Sequence, residues 1–106
     1  MIHNLEQNAV LQLAIPRALD EDIADLLLAH PELASGFTLL PAQGMGQHTR
    51  LLSAMEQVQG RSQRQLFVIC GALAQLRALL QLLNQHFPGA DIHYWITPVI
   101  ESGSLQ

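Results

Sequence analysis

Three of the five arginines of this chain fall in one polar stretch, residues 41–64, which reads PAQGMGQHTRLLSAMEQVQGRSQR. Glu56 is the one acidic residue of this stretch, so the stretch is locally positive in a chain with a formal net charge of −4. Guanidinium groups suit bidentate contacts with carboxylates and phosphates, and paired glycines permit a backbone cradle of N–H groups. Solvated surface arginines in a mobile loop are the alternative interpretation. The anion-site hypothesis uses Gly44, Gly46, His48, Arg50, Arg61 and Arg64.

The same stretch contains groups that bind soft and borderline metal ions. A metal site here would use the imidazole of His48, the thioethers of Met45 and Met55, and the carboxylate of Glu56. Nitrogen together with sulfur suits copper. The spacing is not that of the C-x-x-C or H-x-x-x-H motifs that define metal sites in sequences. Packing of Met55 as a flexible gap-filler is the alternative.

A second candidate site lies in the aromatic run at residues 93–95. In a strand, His93 and Trp95 share one face and Tyr94 lies on the other. The favoured interpretation is a packed strand whose aromatic side chains lie in the core or at a subunit contact. The rival is a ligand-binding role, with a ligand stacked on Trp95 beside His93 at a cleft between subunits. Cys70, at a strand end, is interpreted as a small buried hydrophobe.

A catalytic set is not evident in the sequence. The carboxylates at 20, 21, 22 and 25 stand where a helix begins, and their charge suits the helix dipole. Ser53 and His48 lie five residues apart with no evident orienting acid. The sequence therefore predicts a protein that is not an enzyme, and it identifies no cofactor.

Two strand–helix–strand patterns flank the polar stretch. The first has strands at 9–15 and 37–40 around a helix at 18–30, and the second has strands at 64–70 and 91–98 around a helix at 72–86. The order predicts an α+β fold, a ferredoxin-like βαββαβ sandwich with an antiparallel sheet and two helices on one face. Residues 1–106 are predicted to form a single domain, with a long connection at 43–62 of the kind that carries function. The uncovered sheet face is expected to expose Val10, Phe67, Trp95 or their neighbours.

The amino-acid composition of the chain limits the kinds of molecule with which it can associate. Apolar residues make up 49% of the chain and charged residues 13%, which predicts that part of the apolar surface is covered by self-association. The negative charge argues against nucleic-acid binding. One cysteine, no signal-peptide pattern and no apolar run of membrane-spanning length predict a cytoplasmic protein without membrane insertion.

Three segments, GFTLLPAQGMGQH, LLSAMEQVQGRSQR and FPGADIHYWITPVIESG, resemble an uncharacterised PII-like, CutA-like family of small proteobacterial proteins. Its members are often encoded beside heavy-metal efflux pumps of the resistance–nodulation–division type. The resemblance runs from residue 11 to residue 103 and is most specific in the EQVxGRxxR and HYW…PV…G patterns. It implies a trimer in which residues 43–62 occupy the position of the T-loop of PII nitrogen regulatory proteins. ATP-binding PII proteins have a basic glycine-rich loop where this chain has FPGA at residues 87–90, so adenine-nucleotide sensing is not implied.

Two functions of different kinds follow. The first is a PII-like regulatory or signalling protein that senses a small anionic ligand and contacts a transporter or other partner through residues 43–62. The alternative is a metal-binding accessory protein of a copper or zinc efflux system. An interaction module without a small ligand is a third possibility.

Overall fold

A computed structural model of the chain describes residues 2–3, 7–45, 54–59 and 62–105. The strands within these ranges are β1 (Ile2–His3), β2 (Ala9–Pro16), β3 (Thr38–Gly44), β4 (Ser62–Gly71), β5 (His93–Pro98) and β6 (Gly103–Ser104). The helices are α1 (Asp20–Leu28), which follows a 3-10 turn at Arg17–Leu19, α2 (Ala54–Gln59) and α3 (Leu73–His86).

The main sheet has four strands in the order β3-β4-β2-β5, and every neighbouring pair is antiparallel. Two strand–helix–strand halves are interleaved in this order, as in the ferredoxin-like sandwich. The predicted fold class is therefore confirmed. The short strands β1 and β6 pair with each other in a separate two-stranded sheet.

Strand β2 lies in the middle of the sheet, and its sequence alternates between two environments. Every second residue from Ala9 to Ile15 is buried, while Val10, Gln12 and Ala14 are half-buried. This alternation follows from the two-residue period of a strand, and it directs one row of side chains toward the helices.

The two long helices cover one face of the sheet. Helix α1 begins with three acidic residues, which suit the positive end of its dipole, and it ends before Pro31. It buries Ile23 and Leu27, one turn apart. The buried apolar core is Ala9, Leu11, Leu13, Ile15, Ile23, Leu27, Ala34, Phe67, Ile69, Leu76, Leu79 and Leu83.

The position expected for Phe67 is wrong. Its side chain is fully buried in the core, opposite Leu13 of β2, and its ring centroid lies 5.6 Å from that of Phe37. The alternation in β4 correctly separates Phe67 and Ile69 from Leu66, Val68 and Cys70. A period of two defines two faces but does not say which face the helices cover.

The extent of the predicted connection is also wrong. Strand β3 continues through Pro41 to Gly44 and pairs with the start of β4, so the connection between the strands spans residues 45–61 rather than 43–62. Helix α2 lies within it. Proline is tolerated at Pro41 because β3 is an edge strand, where half of the N–H groups face away from the sheet.

Among the helices of the described residues, none combines the length and the hydropathy needed to cross a membrane.

Candidate functional site

The sheet face opposite α1 and α3 is mostly apolar, and we call it the open face. Residues that pair across antiparallel strands lie on the same face, so the strand register defines its members. They are Thr38, Leu40 and Ala42 of β3, Arg64, Leu66, Val68 and Cys70 of β4, Val10, Gln12 and Ala14 of β2, and His93, Trp95 and Thr97 of β5. Leu40 is 47% exposed and Trp95 is 44% exposed. Large apolar side chains are thus left in contact with water in the isolated chain.

At one end of the open face, an arginine and an aspartate form a buried ion pair. Nη1 of Arg64 donates a hydrogen bond to the backbone oxygen of Asp91 at 2.7 Å, and Nη2 contacts Oδ2 of the same residue. The side chains are 4% and 10% exposed. Arg64 lies opposite Pro16, and extending the β2–β5 register places Asp91 on the other side of that proline. The pair therefore spans β2 and joins the start of β4 to the segment before β5.

Arg64 was expected where the polar stretch ends and the strand at 64–70 begins, with its guanidinium group available to an anion. The strand is confirmed, but the expected availability is wrong, because Arg64 is buried in β4 and its guanidinium already contacts a carboxylate. The ion pair gives Arg64 a structural role at the base of the 45–61 connection, and its role in ligand binding stays a prediction.

His93 is attached to the same carboxylate. Its Nε2 donates to Oδ1 of Asp91 at 3.0 Å, while its side chain remains 57% exposed. In the neutral imidazole this arrangement leaves Nδ1 as an acceptor. His93 and Trp95 share the open face, as the sequence predicted, and Tyr94 points to the other side.

Asp91 was not identified from the sequence. Its spacing to His93 is the available signal, since residues two apart in an extended segment lie on the same face. The contact with Arg64 joins residues 27 positions apart, and local sequence patterns contain no sign of it.

The structure describes only some of the residues that were predicted to bind a metal ion or an anion in the connection. Met45 is 66% exposed and Met55 is 61% exposed. Glu56 is buried, and its Oε2 accepts a hydrogen bond from the backbone N–H of Gln63 at 2.6 Å. Gly44 is the last residue of β3 and pairs with Ser62.

Four candidate residues, Gly46, His48, Arg50 and Arg61, lie outside the described residues. The anion site and the metal site in the connection therefore stay predictions, with two corrections: Gly44 belongs to a strand, and Glu56 is turned inward. Among the residues that the structure describes, no three His, Cys, Asp or Glu side chains are placed to hold a metal ion. Cys70 is half-buried on the open face.

A groove of about 310 Å³ lies between α3 and β5, on the helix side of the sheet. Its lining residues are Leu80, Gln81, Leu83, Asn84, Phe87, Ala90, Ile92 and Tyr94. The lining has apolar side chains, two amides and one phenol but no charged group. It suits an apolar side chain better than an anion.

The fold of the chain is that of a known class of small α+β proteins. The structure resembles CPII, a nitrogen regulatory PII-like protein from Thiomonas intermedia K12, with a TM-score of 0.68 and 16% identity over 93% of this chain and 96% of that one. It resembles CutA from Synechococcus elongatus PCC7942 with a TM-score of 0.68 and 19% identity over 97% and 86% of the two chains. The chain thus has the α+β fold that PII-like and CutA proteins share.

The family follows from the sequence. Residues 5–106 match the model of DUF3240, described as a protein of unknown function, and the chain belongs to this family. A crystal structure of a DUF3240 family protein from Shewanella baltica OS155 is similar, with a TM-score of 0.75 and 26% identity over 96% of this chain and all of that one. No curated protein matches the chain in sequence.

Proposed function

We propose that this chain is a PII-like regulatory protein: copies associate through the open face as a homo-oligomer, a trimer, and the connection between β3 and β4 binds a small anionic ligand and contacts a transporter or other partner. The observation that carries the proposal is the uncovered apolar face, which lies beside the strand ends from which the connection leaves. A rigid base with a long polar connection is suited to coupling ligand binding to partner contact.

The size of the open face supports association. Four strands about 4.8 Å apart, with four rows of side chains about 7 Å apart, give a face of roughly 500 Å². A stable protein interface buries about 800 Å² per partner. The open face can therefore supply the larger part of an interface, and the free edges of β3 and β5 adjoin it.

The polar connection supports the ligand-binding part of the proposal. Arg50 and Arg61 belong to it, and Glu56, its acidic residue, accepts a backbone hydrogen bond. The CPII structure holds ADP, AMP and bicarbonate, which are all small anions. A small anion is therefore the ligand class that we propose for this chain.

Assembly is tested with a charge placed in the middle of the open face. Val68→Asp should convert the oligomer to a monomer, because a carboxylate buried between apolar faces is strongly destabilising. Leu28→Asp is the matched control, since Leu28 is 68% exposed on α1, on the opposite side of the molecule. Native mass spectrometry and light scattering measure the mass. A monomeric wild-type chain at micromolar concentration would contradict the proposal.

Ligand binding is tested by calorimetry with ADP, AMP and bicarbonate as the probes. Arg50→Ala and Arg61→Ala should weaken binding without changing the mass of the assembly. Arg77→Ala is the control, because Arg77 is an exposed arginine of α3. If both variants bind like the wild type, Arg50 and Arg61 do not form the site, and if none of the three probes binds, these anions are excluded as its ligands.

A second function is the metal-binding accessory protein of a copper or zinc efflux system. Exposure of the thioethers of Met45 and Met55 favours it, because exposed methionines are available to bind Cu(I). His48→Ala and Met45→Leu should each weaken Cu(I) binding in a titration with a competing chelator. Absence of binding of Cu(I) and Zn²⁺ at micromolar concentration would exclude this function.

A further inference from the structure

We infer that His93 side chains from neighbouring copies of the chain together bind one divalent transition-metal ion, such as Zn²⁺, at the end of the open face. The inference rests on the proposed association through this face. It concerns a site distinct from His48 and the methionines of the connection.

The first observation is the way in which the imidazole of His93 is held. Metal-binding histidines usually donate their second ring N–H to a carboxylate, a backbone carbonyl or a water molecule, which fixes the ring and the tautomer and makes the other nitrogen a better ligand. His93 has this arrangement, with Nε2 bonded to Oδ1 of Asp91 at 3.0 Å. In the part of the chain that the structure describes, Nδ1 has no hydrogen-bond partner.

The carboxylate that holds His93 is itself fixed. Asp91 is 10% exposed, and Arg64 contacts both its backbone oxygen and its other carboxylate oxygen. The ring of His93 is therefore attached to a buried ion pair rather than to a mobile surface group.

The other two histidines with described side chains differ in this respect. Nδ1 of His30 and Nδ1 of His86 each lie 3.0 Å from a backbone carbonyl oxygen one turn earlier in the same helix. A backbone carbonyl can also orient a metal-binding imidazole, so position is what separates these residues from His93: neither lies on the open face. His93 alone of the three combines a carboxylate partner with a position on the proposed subunit contact.

A single copy cannot complete the site from the described residues, because these contain no group of three His, Cys, Asp or Glu side chains around one point. In a cyclic assembly, equivalent residues near the axis are brought together at equal distances. Three imidazoles from three copies, with water in a fourth position, make a coordination set that Zn²⁺ accepts. The expected stoichiometry is therefore one ion per assembly rather than one per chain.

The test uses the full chain and two probes. Native mass spectrometry with Zn²⁺ should show one ion per oligomer, and His93→Gln should lose the ion while the oligomer persists. Trp95, the single tryptophan of the chain, lies next to His93 on the same face, so Cu²⁺ should quench its fluorescence in the wild type and not in His93→Gln. His86→Gln is the matched control and should behave like the wild type.

The outcomes separate this inference from the proposed function. An oligomer that binds no Zn²⁺ overturns the metal site and leaves the assembly in place. Binding of one ion per chain that survives in His93→Gln also overturns it and points to the connection. A monomeric wild-type chain overturns both proposals.

Discussion

Arg64 and Asp91 lie 27 residues apart in the chain, and the guanidinium of the first contacts both the backbone oxygen and the carboxylate of the second. The ion pair crosses the end of β2 beside Pro16 and ties the start of β4 to the segment before β5. The 45–61 connection ends three residues before Arg64, so the pair anchors its base. The same carboxylate orients His93 on the open face. The same buried ion pair thus fixes both the end of the connection and the position of His93 on the open face.

Removing one member of this pair should destabilise the protein strongly. Arg64→Ala leaves the Asp91 carboxylate without its guanidinium, and loss of one partner of a buried ion pair costs about 3–5 kcal/mol. The double variant Arg64→Met with Asp91→Leu should recover much of this loss, because no lone charge remains. Urea denaturation at a fixed chain concentration measures the free energies of unfolding. A loss below about 0.5 kcal/mol in Arg64→Ala, the range of surface substitutions, would show that the pair is not structurally important.

The position of Phe67 gives a second prediction. Phe67→Ala should lower the free energy of unfolding by about 3–5 kcal/mol, since it removes a fully buried aromatic ring from the core. Leu28→Ala should change it by less than about 0.5 kcal/mol, because Leu28 is 68% exposed. Thermal and urea unfolding of the two variants check this difference. Similar losses in both variants would contradict the burial of Phe67 in the core.

How far the sequence predicts this fold can be seen in β3 and β4. The alternation in β4 separates its two faces correctly, because that pattern is local. Which face is covered depends on the helices, so the expectation for Phe67 failed. The end of β3 was missed because residues 41–44 were grouped with the polar stretch, although an edge strand tolerates a proline such as Pro41. Helix α2 was missed since six residues are too few for a clear helical period.

The candidate site was less predictable than the fold. His93 and Trp95 were placed on one face correctly, because their spacing determines it. Arg64 was counted by composition among the arginines of the polar stretch at 41–64 and assigned to an anion, whereas its actual partner is far away in the chain. A contact of that kind depends on the register of three strands, and no local pattern encodes it.

The turn after α3 gives a third prediction. Gly89 has a φ of 72°, in the left-handed region, which costs a residue with a side chain about 1–2 kcal/mol. Gly89→Ala should therefore lower the free energy of unfolding by about that amount, although a Cβ there would meet no atom within 4 Å. Gly36→Ala is the matched control, because Gly36 has equal space and no positive φ. It should be neutral or stabilising by a few tenths of a kcal/mol. Equal effects of the two substitutions in urea unfolding would contradict the turn conformation.

The fourth prediction concerns Trp95 as an optical report of assembly. In the isolated chain Trp95 is 44% exposed on the open face, and it is the single tryptophan. If copies associate through this face, its indole is buried in the oligomer, so its emission should lie at shorter wavelength and resist quenching by acrylamide. The Val68→Asp variant should shift the emission to longer wavelength and increase the quenching, because the charge separates the copies. Leu28→Asp should leave both unchanged. The contradicting outcome is a Val68→Asp variant whose mass falls to a half or a third of that of the wild type while its emission spectrum stays the same. The indole would then be equally accessible in both states, so the subunit contact would lie elsewhere on the molecule.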